Sequence, residues 1–398
     1  MGNPMAEKKK ILYIVEAMGG GVFTYIVDLA NELVDSYDMY IAYAVRKQTP
    51  KNYKEYFDKR VHLIEVKNFE RAINPVKDIA AFFEVKRIAA EVKPDVIHLH
   101  SSKAGVIGRM AFDGKVPMFY TPHGYSFLME NYKPMKRKMF KLIESVCAKR
   151  NCTTISCSAG EHQETLKLTR HATYVNNGIN MAELQEIIDK TEKTEHPFTV
   201  YTLGRICYQK NPTLFNAIAE SLPDVKFVWI GDGELREELT SENIEITGWT
   251  DRSTAIKFAV NADIFLLTSR WEGLPISLLE SMYMKKTCVV SDVIGNRDVI
   301  HNGQNGFVCT TAEDFVKAIE ECEGGMENMK QQAYQDILEI YNTKVMALEY
   351  SEKYNCALNE VGGVRCELIT HEQAFRQDAT VYAVICELTH YATAKAVA

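Results

Sequence analysis

The sequence predicts an α/β protein of two consecutive domains, each a doubly wound parallel sheet covered by helices, facing each other across a deep cleft. Three observations carry this. A chain of 398 residues is long for one domain and comfortable for two. Short apolar runs rich in Val, Ile and Tyr alternate with helical periodicities, the pattern of parallel strands with helices on both faces. The alternation also stops and restarts. Strands are expected at 11–15, 39–45, 96–100, 117–121 and 153–157, with helical pattern at 22–34 and 76–92, and again at 198–205, 226–230, 244–247, 263–268 and 287–291.

Between the two runs lies 181–197, "MAELQEIIDKTEKTEHP", a short helix followed by a charged crossing that ends in proline. The expected organisation is residues 1–180 as the first domain, 181–197 as linker, 198–343 as the second domain, 344–362 as a helix returning to the first, and 363–398 as a tail of unknown role. Open α/β sheets bind ligands at the carboxyl ends of their strands, so the chemistry is expected where the strand ends of both halves meet.

Composition narrows the function. A net charge of -7 argues against a nucleic-acid binder. Ten cysteines are scattered without a CxxC pair, and the five-residue spacing of Cys147, Cys152 and Cys157 suits neither zinc ligation nor a redox dithiol. The basic run before "ILYIV" precedes too short an apolar stretch for export, and no run of 18 apolar residues exists. A cytoplasmic protein with reduced thiols is expected.

Four local patterns could carry chemistry. Gly19 to Gly21 follow a strand and precede a helix with Val22, Ile26, Leu29, Ala30 and Leu33 on its buried side; the turn suits a plain tight bend as well as a cradle for a ligand at Gly20 and Gly21. In "YTPHGYSF", His123 stands just past a strand end, placed to serve structure or to hydrogen-bond a sugar hydroxyl. In "LGRICYQKNP", Gly204 precedes Arg205, and Lys210 follows five positions later. Two cations converging there suit a diphosphate, although a solvated basic pair has the same pattern. Last comes "RWEGLPISLLESM", with Glu272 and Glu280 eight positions apart. Pro275 fits the first position of a helix, the N–H groups of Ile276 and Ser277 would face the crevice, and Glu280 could accept two hydrogen bonds from a vicinal diol. Carboxylates on either side of an anion pocket fit a ligand that is sugar, diphosphate and ribose in order.

Taken in order, the glycine loop, "DVIHLHSSKAG", "TPHG", "VNNGIN", "GRICYQKN", "WIGDGELR", "ITGW" and "EGLPISLLE" resemble the family 4 glycosyltransferases over residues 9–358. The resemblance implies the GT-B fold, two Rossmann-like domains, and transfer of a sugar from a nucleotide sugar with retention of anomeric configuration. It implies that Arg205 and Lys210 hold the diphosphate as leaving group and that Glu280 binds the ribose. Gly204 belongs to the same donor loop. Main chain from Gly273 through Leu274 and Pro275 to Ile276 would touch donor sugar and phosphates, and main chain after Gly248 would read the base. Glu272 would contact sugar hydroxyls, His123 would sit beside the sugar, and Gly20 and Gly21 would approach phosphates or acceptor. "SDVIGNRDVI" lacks the fuller GGxxE-type run of the family, which leaves its part in holding the sugar open.

No DxD motif is present, and the second acid of "GDG" at 231–233 is wrongly placed, so no metal and no resident cofactor is expected, the nucleotide sugar being a co-substrate. The donor is expected to be a UDP-sugar, and the acceptor a saccharide or lipid-linked saccharide in capsule or exopolysaccharide synthesis. The alternatives are a nucleotide-sugar epimerase or hydrolase of the same architecture and a non-catalytic sugar-nucleotide sensor. Residues 131–150 combine Lys133, Lys136, Arg137, Lys138 and Lys141 with Met135, Met139, Leu142, Ile143 and Val146 at helical spacing. Such a helix suits an anionic membrane surface, and hence a peripheral position on the inner face of the plasma membrane, or else a core helix with a solvated basic side.

Overall fold

Alternation of β-branched strands with amphipathic helices builds two parallel sheets. A computed structural model describes residues 7–16, 18–46, 49–70 and 72–361. The first sheet contains β1 (Lys10–Val15), β2 (Asp38–Tyr43), β3 (His62–Glu65), β4 (Val96–His100), β5 (Met118–Thr121), β6 (Thr153–Ser156) and β7 (Ala172–Tyr174). Its spatial order is β3-β2-β1-β4-β5-β6-β7, with every pairing parallel. The second holds β8 (Thr199–Leu203), β9 (Lys226–Ile230), β10 (Ile244–Ile246), β11 (Ile264–Leu267), β12 (Thr287–Ser291) and β13 (Phe307–Cys309) in the order β10-β9-β8-β11-β12-β13. The helices of the first half are α1 (Gly20–Leu33), α2 (Pro75–Val92), α3 (Ser102–Ala111), α4 (Pro134–Cys147) and α5 (Ala159–Leu166). Those that follow are α6 (Met181–Asp189), α7 (Pro212–Ser221), α8 (Arg252–Val260), α9 (Ile276–Tyr283), α10 (Asn296–Val299), α11 (Ala312–Cys322), α12 (Glu327–Glu339) and α13 (Thr343–Val361).

Sequence chemistry sets these ends. Asn74 caps α2 by accepting from the Lys77 N–H, with Pro75 at the first position. Thr311 and Asp314 form a capping box on α11, whose Phe315, Ala318, Ile319 and Cys322 repeat at the helical period and are buried. Nearly every face of α1 is covered; Phe23, Tyr25 and Val27 are buried beside Ile26 and Leu29, while Val22 is only half-buried.

The expected linker is helical at its start. α6 packs against α8 and sets Leu184 into the core of the second half, alongside Ile256, Leu278 and Met282. The chain crosses between halves twice, at Ile179 and at Asn342, and the two crossings lie side by side as a parallel bridge. α13 begins there and returns to the first sheet: the Thr343 hydroxyl donates to Glu32 Oε1 at 2.6 Å, and the Tyr350 and Tyr25 hydroxyls bond in the interior. Both halves belong to one compact unit, Met1–Ser351; Glu352–Ala398 forms a second, described only as the continuing helix to Val361. The expected tail at 363–398 lies outside the described residues. Among the described residues no helix is long and apolar enough to cross a membrane, and the eight cysteines there form no disulfide.

Gly178 is where the crossings touch: a Cβ there would come within 2.3 Å of the Asn342 carbonyl. Gly178→Ala should therefore destabilise the protein by about 1–3 kcal/mol in urea unfolding, whereas Gly21→Ala, where a Cβ meets nothing within 4 Å, should change stability far less.

Candidate active site

The strands of both sheets point their carboxyl ends into the same cleft, and the singled-out residues follow those ends. β1 leads to the glycine turn, where Gly20 takes φ +58, and β5 leads to His123 at φ +54 and Gly124 at φ +90. β8 leads to Gly204 and Arg205, and β11 to the turn from Glu272 to Pro275 ahead of α9.

On the first half, His123 is half-buried and its Nε2 bonds His100 Nδ1 at 3.1 Å; the two rings stack, and Tyr25, one turn beyond Gly21, closes the other side. Burial drives the imidazole pKa down to about 3, so His123 is neutral and offers a hydrogen bond, not a charge. Glu161 fixes the turn from below, accepting from the N–H of Gly124 at 2.7 Å and of Cys157 at 2.8 Å.

On the second half, Glu272 is held from three sides. Lys210 Nζ lies 2.8 Å from its Oε1, the Ser269 hydroxyl donates at 2.7 Å, and Gln209 donates at 3.3 Å. Arg205 is turned toward the loop after β9, with Nε 2.8 Å from Glu234 Oε2. Arg205 and Lys210, expected to converge, thus hold separate acids here, because each cation is next to a carboxylate that neutralises it locally. Pro275 is the N-cap of α9 and not its first residue; its extended φ of -76° and ψ of 122° start the helix at Ile276. The N–H groups of Ile276 and Ser277 therefore head the helix, where donors lack partners in a preceding turn.

Glu280 is buried on α9 and paired to Arg252 of α8, whose Nη2 stands 2.8 Å from Oε1. Burial raises the Glu280 pKa, and Glu183 adds to this, while Arg252 opposes it. Glu183 also lies 3.5 Å from Arg252 Nε. Asp28 of α1 faces this group from the other half. Burial lifts its carboxyl from 3.8 to about 7, with Arg252 pulling it down and Glu183, Glu280 and Glu32 pushing it up. Arg252 is thus one cation serving several acids from both halves. Sequence reasoning missed it, although a signal existed: a cation at the first position of a helix opposes the helix dipole, and such a breach points to an acid elsewhere.

The halves meet at Gly273. A Cβ there would lie 3.2 Å from Cys157 Sγ, 3.5 Å from the Gly124 nitrogen and 3.7 Å from the His123 carbonyl carbon, so the two glycine turns face each other directly. Asn177 adds a bond from Nδ2 to the Leu274 carbonyl at 2.8 Å. "GNRD" braces the same point: Gly295, at φ +85, would drive a Cβ to 2.2 Å from the Gly273 oxygen, and Asp298 accepts from the N–H of Gly160 in the first half and of Gly295. Gly248 takes φ +77, and Trp249 after it is exposed. Among the described residues no group of three His, Cys, Asp or Glu side chains is placed to hold a metal ion.

Two family profiles match this chain in succession: Glycosyltransferase Family 4 over residues 19–183 and Glycosyl transferases group 1 over 184–336. The chain belongs to glycosyltransferase family 4. It is 29% identical over 300 residues to the Escherichia coli UDP-Gal:alpha-D-GlcNAc-diphosphoundecaprenol alpha-1,3-galactosyltransferase, covering 67% of this chain and 76% of that one. To the Campylobacter jejuni N,N'-diacetylbacillosaminyl-diphospho-undecaprenol alpha-1,3-N-acetylgalactosaminyltransferase it is 26% identical over 330 residues, 74% of this chain and 86% of the other. The structure of Anabaena HepE in complex with UDP and glucose aligns at a TM-score of 0.69 with 16% identity, over 87% of this chain and 99% of that one, a likeness of fold. The GT-B architecture and glycosyltransferase activity expected from the sequence are those of this family member.

The raised Asp28 carboxyl binds its proton more tightly folded than unfolded, so stability falls as pH rises from about 4 through about 7. Asp28→Asn should remove that slope. In urea unfolding across this range the variant should match the wild type near pH 4 and exceed it by on the order of 2–4 kcal/mol above pH 7.

Proposed function

We propose that this family 4 glycosyltransferase moves one sugar, with retention and without a metal ion, from a UDP-sugar to a saccharide carried on a lipid diphosphate, in the synthesis of a bacterial surface polysaccharide. The observation that carries the reading is the pairing of Lys210 with Glu272 at 2.8 Å beside the start of α9. An arriving diphosphate competes for Lys210 and for the N–H groups of Ile276 and Ser277, which frees the Glu272 carboxylate to accept from donor-sugar hydroxyls. Glu280 serves the ribose in the same way at the far end, its charge sustained by Arg252. The acceptor class is that of the Escherichia coli and Campylobacter relatives, and the uridine donor agrees with the UDP bound to the Anabaena neighbour.

In the transfer, the bond from the anomeric carbon to the diphosphate breaks and the acceptor oxygen bonds to that carbon on the same face. The acceptor proton passes to the departing phosphate oxygen. Arg205 and Lys210 stabilise the charge that grows on the diphosphate, and the neutral His123 offers its hydrogen bond beside the sugar. Contact of the Gly273 and Gly124 turns keeps water from the activated sugar.

A thermal-shift screen over nucleotide sugars should show the largest stabilisation with a UDP-sugar. With that donor and a lipid-diphosphate saccharide, transfer should be seen by mass spectrometry. Rapid isomerisation of the donor without acceptor would instead establish an epimerase. Arg205→Ala and Lys210→Ala should each lower kcat by roughly a hundredfold to a thousandfold; unchanged turnover would overturn the leaving-group assignment. Glu280→Gln should raise the donor KM by roughly tenfold to a hundredfold and leave kcat nearly intact.

A further inference from the structure

α4 is oriented the opposite way from a core helix. Its inward side carries Glu144 and Cys147, with Glu144 held by Arg109 Nη2 at 2.7 Å and by the Tyr120 hydroxyl at 3.0 Å. Its outward side carries Met135, Met139, Leu142 and Val146, exposed by 84%, 42%, 64% and 54%. At 100° per residue these four fall in one narrow stripe, diametrically opposite Glu144. Lys136 and Lys138 flank the stripe and Lys141 lies beyond, all exposed. Glu144, the one acid of the helix, is turned inward and neutralised.

The apolar surface does not end with α4. α2 packs on α3 and α3 on α4, and on these neighbours Ile79, Phe83 and Met110 are exposed by 60%, 64% and 50%. Isolated exposed apolar side chains are ordinary; four in one stripe on α4, with more on the helices packed beside it, mark an interaction surface.

We propose that the outer face of α4, continued by α3 and α2, docks on an anionic lipid bilayer. The Met, Leu and Val side chains enter the boundary between headgroups and acyl chains, while Lys136, Lys138 and Lys141 meet lipid phosphates. Charge selects this occupant. The protein as a whole carries -7, so attraction to anions is a local property of this face. A second copy presenting the same face would set lysines against lysines. The 124–133 segment joins His123 directly to α4, so a docked enzyme presents the His123 side of its cleft near the bilayer. That consequence rests on the lipid-linked acceptor proposed above; the docking itself does not.

The test is co-sedimentation of the full chain with vesicles rich in phosphatidylglycerol and with pure phosphatidylcholine vesicles, at low and high salt. The wild type should sediment with the anionic vesicles, less so at high salt, and weakly with the neutral ones. Met139→Gln with Leu142→Gln, and separately Lys136→Gln with Lys138→Gln and Lys141→Gln, should each weaken partitioning by roughly tenfold or more. These side chains are exposed, so unchanged thermal unfolding certifies the fold of each variant. Absence of wild-type binding to anionic vesicles at either salt, or variants that bind as well as the wild type, overturns the inference. So does a concentration-dependent dimer in sedimentation velocity that Leu142→Gln dissolves. Transfer to a short-chain, water-soluble lipid-diphosphate saccharide is measured alongside. Transfer without vesicle binding removes the docking surface alone, and vesicle binding without transfer removes the acceptor assignment alone.

Discussion

Burying carboxylates at the junction of two domains is costly unless each has a cation within hydrogen-bond reach, and this constraint organises the cleft. Glu272 has Lys210, and Glu280 has Arg252. Glu272 precedes the start of α9 and Glu280 sits on its second turn, so the cations that permit their burial lie on either side of that helix start. A pocket holding the acids alone would repel the donor; one holding the cations alone would grip the diphosphate without orienting the sugar and ribose.

The second half therefore does more than bind. Arg252 acts on Asp28 of α1 as well as on Glu280 and Glu183, which ties the charge state of Glu280 to an acid of the first half. Glycines set how near the halves come. Gly273 lies against His123 and Gly124, Gly295 lies against Gly273, and Gly178 lies against Asn342. A methyl group at Gly178 would push the two crossings apart, one at Gly273 would crowd Cys157 of the first half, and one at Gly295 would clash within the second half itself.

The first half, by contrast, spends its chemistry on rigidity. The buried His98 and His100 and the half-buried His123 form an aromatic run with Tyr13 and Tyr25, every imidazole kept neutral by its low-dielectric surroundings. Fixed, uncharged rings give this side of the cleft shape and hydrogen bonds without adding charge. Beyond them the sheet is covered by helices whose outer surface is apolar and basic at α4.

Sequence alone pointed to two parallel sheets, because apolar strand runs alternating with helical periods, interrupted once, favour parallel pairing with helices on both faces. It also placed Gly20, His123, Arg205, Lys210 and Glu272 in the segments that follow strands and Glu280 on the helix after the last of them, since motif positions are local. Three short strands, His62–Glu65, Ala172–Tyr174 and Phe307–Cys309, went unread; they lie at sheet edges or are too brief for their pattern to stand out. Partner choice was decided only by tertiary structure. Lys210 meets Glu272 across 62 positions, Arg252 meets Glu280 and feels Asp28, and Arg205 turns to Glu234. The orientation of α4 was likewise undetermined by its sequence, for the helical period fixes which residues share a face but not which face the protein covers. The buried bond between Arg109 and Glu144 made that choice, and it turned the apolar stripe outward.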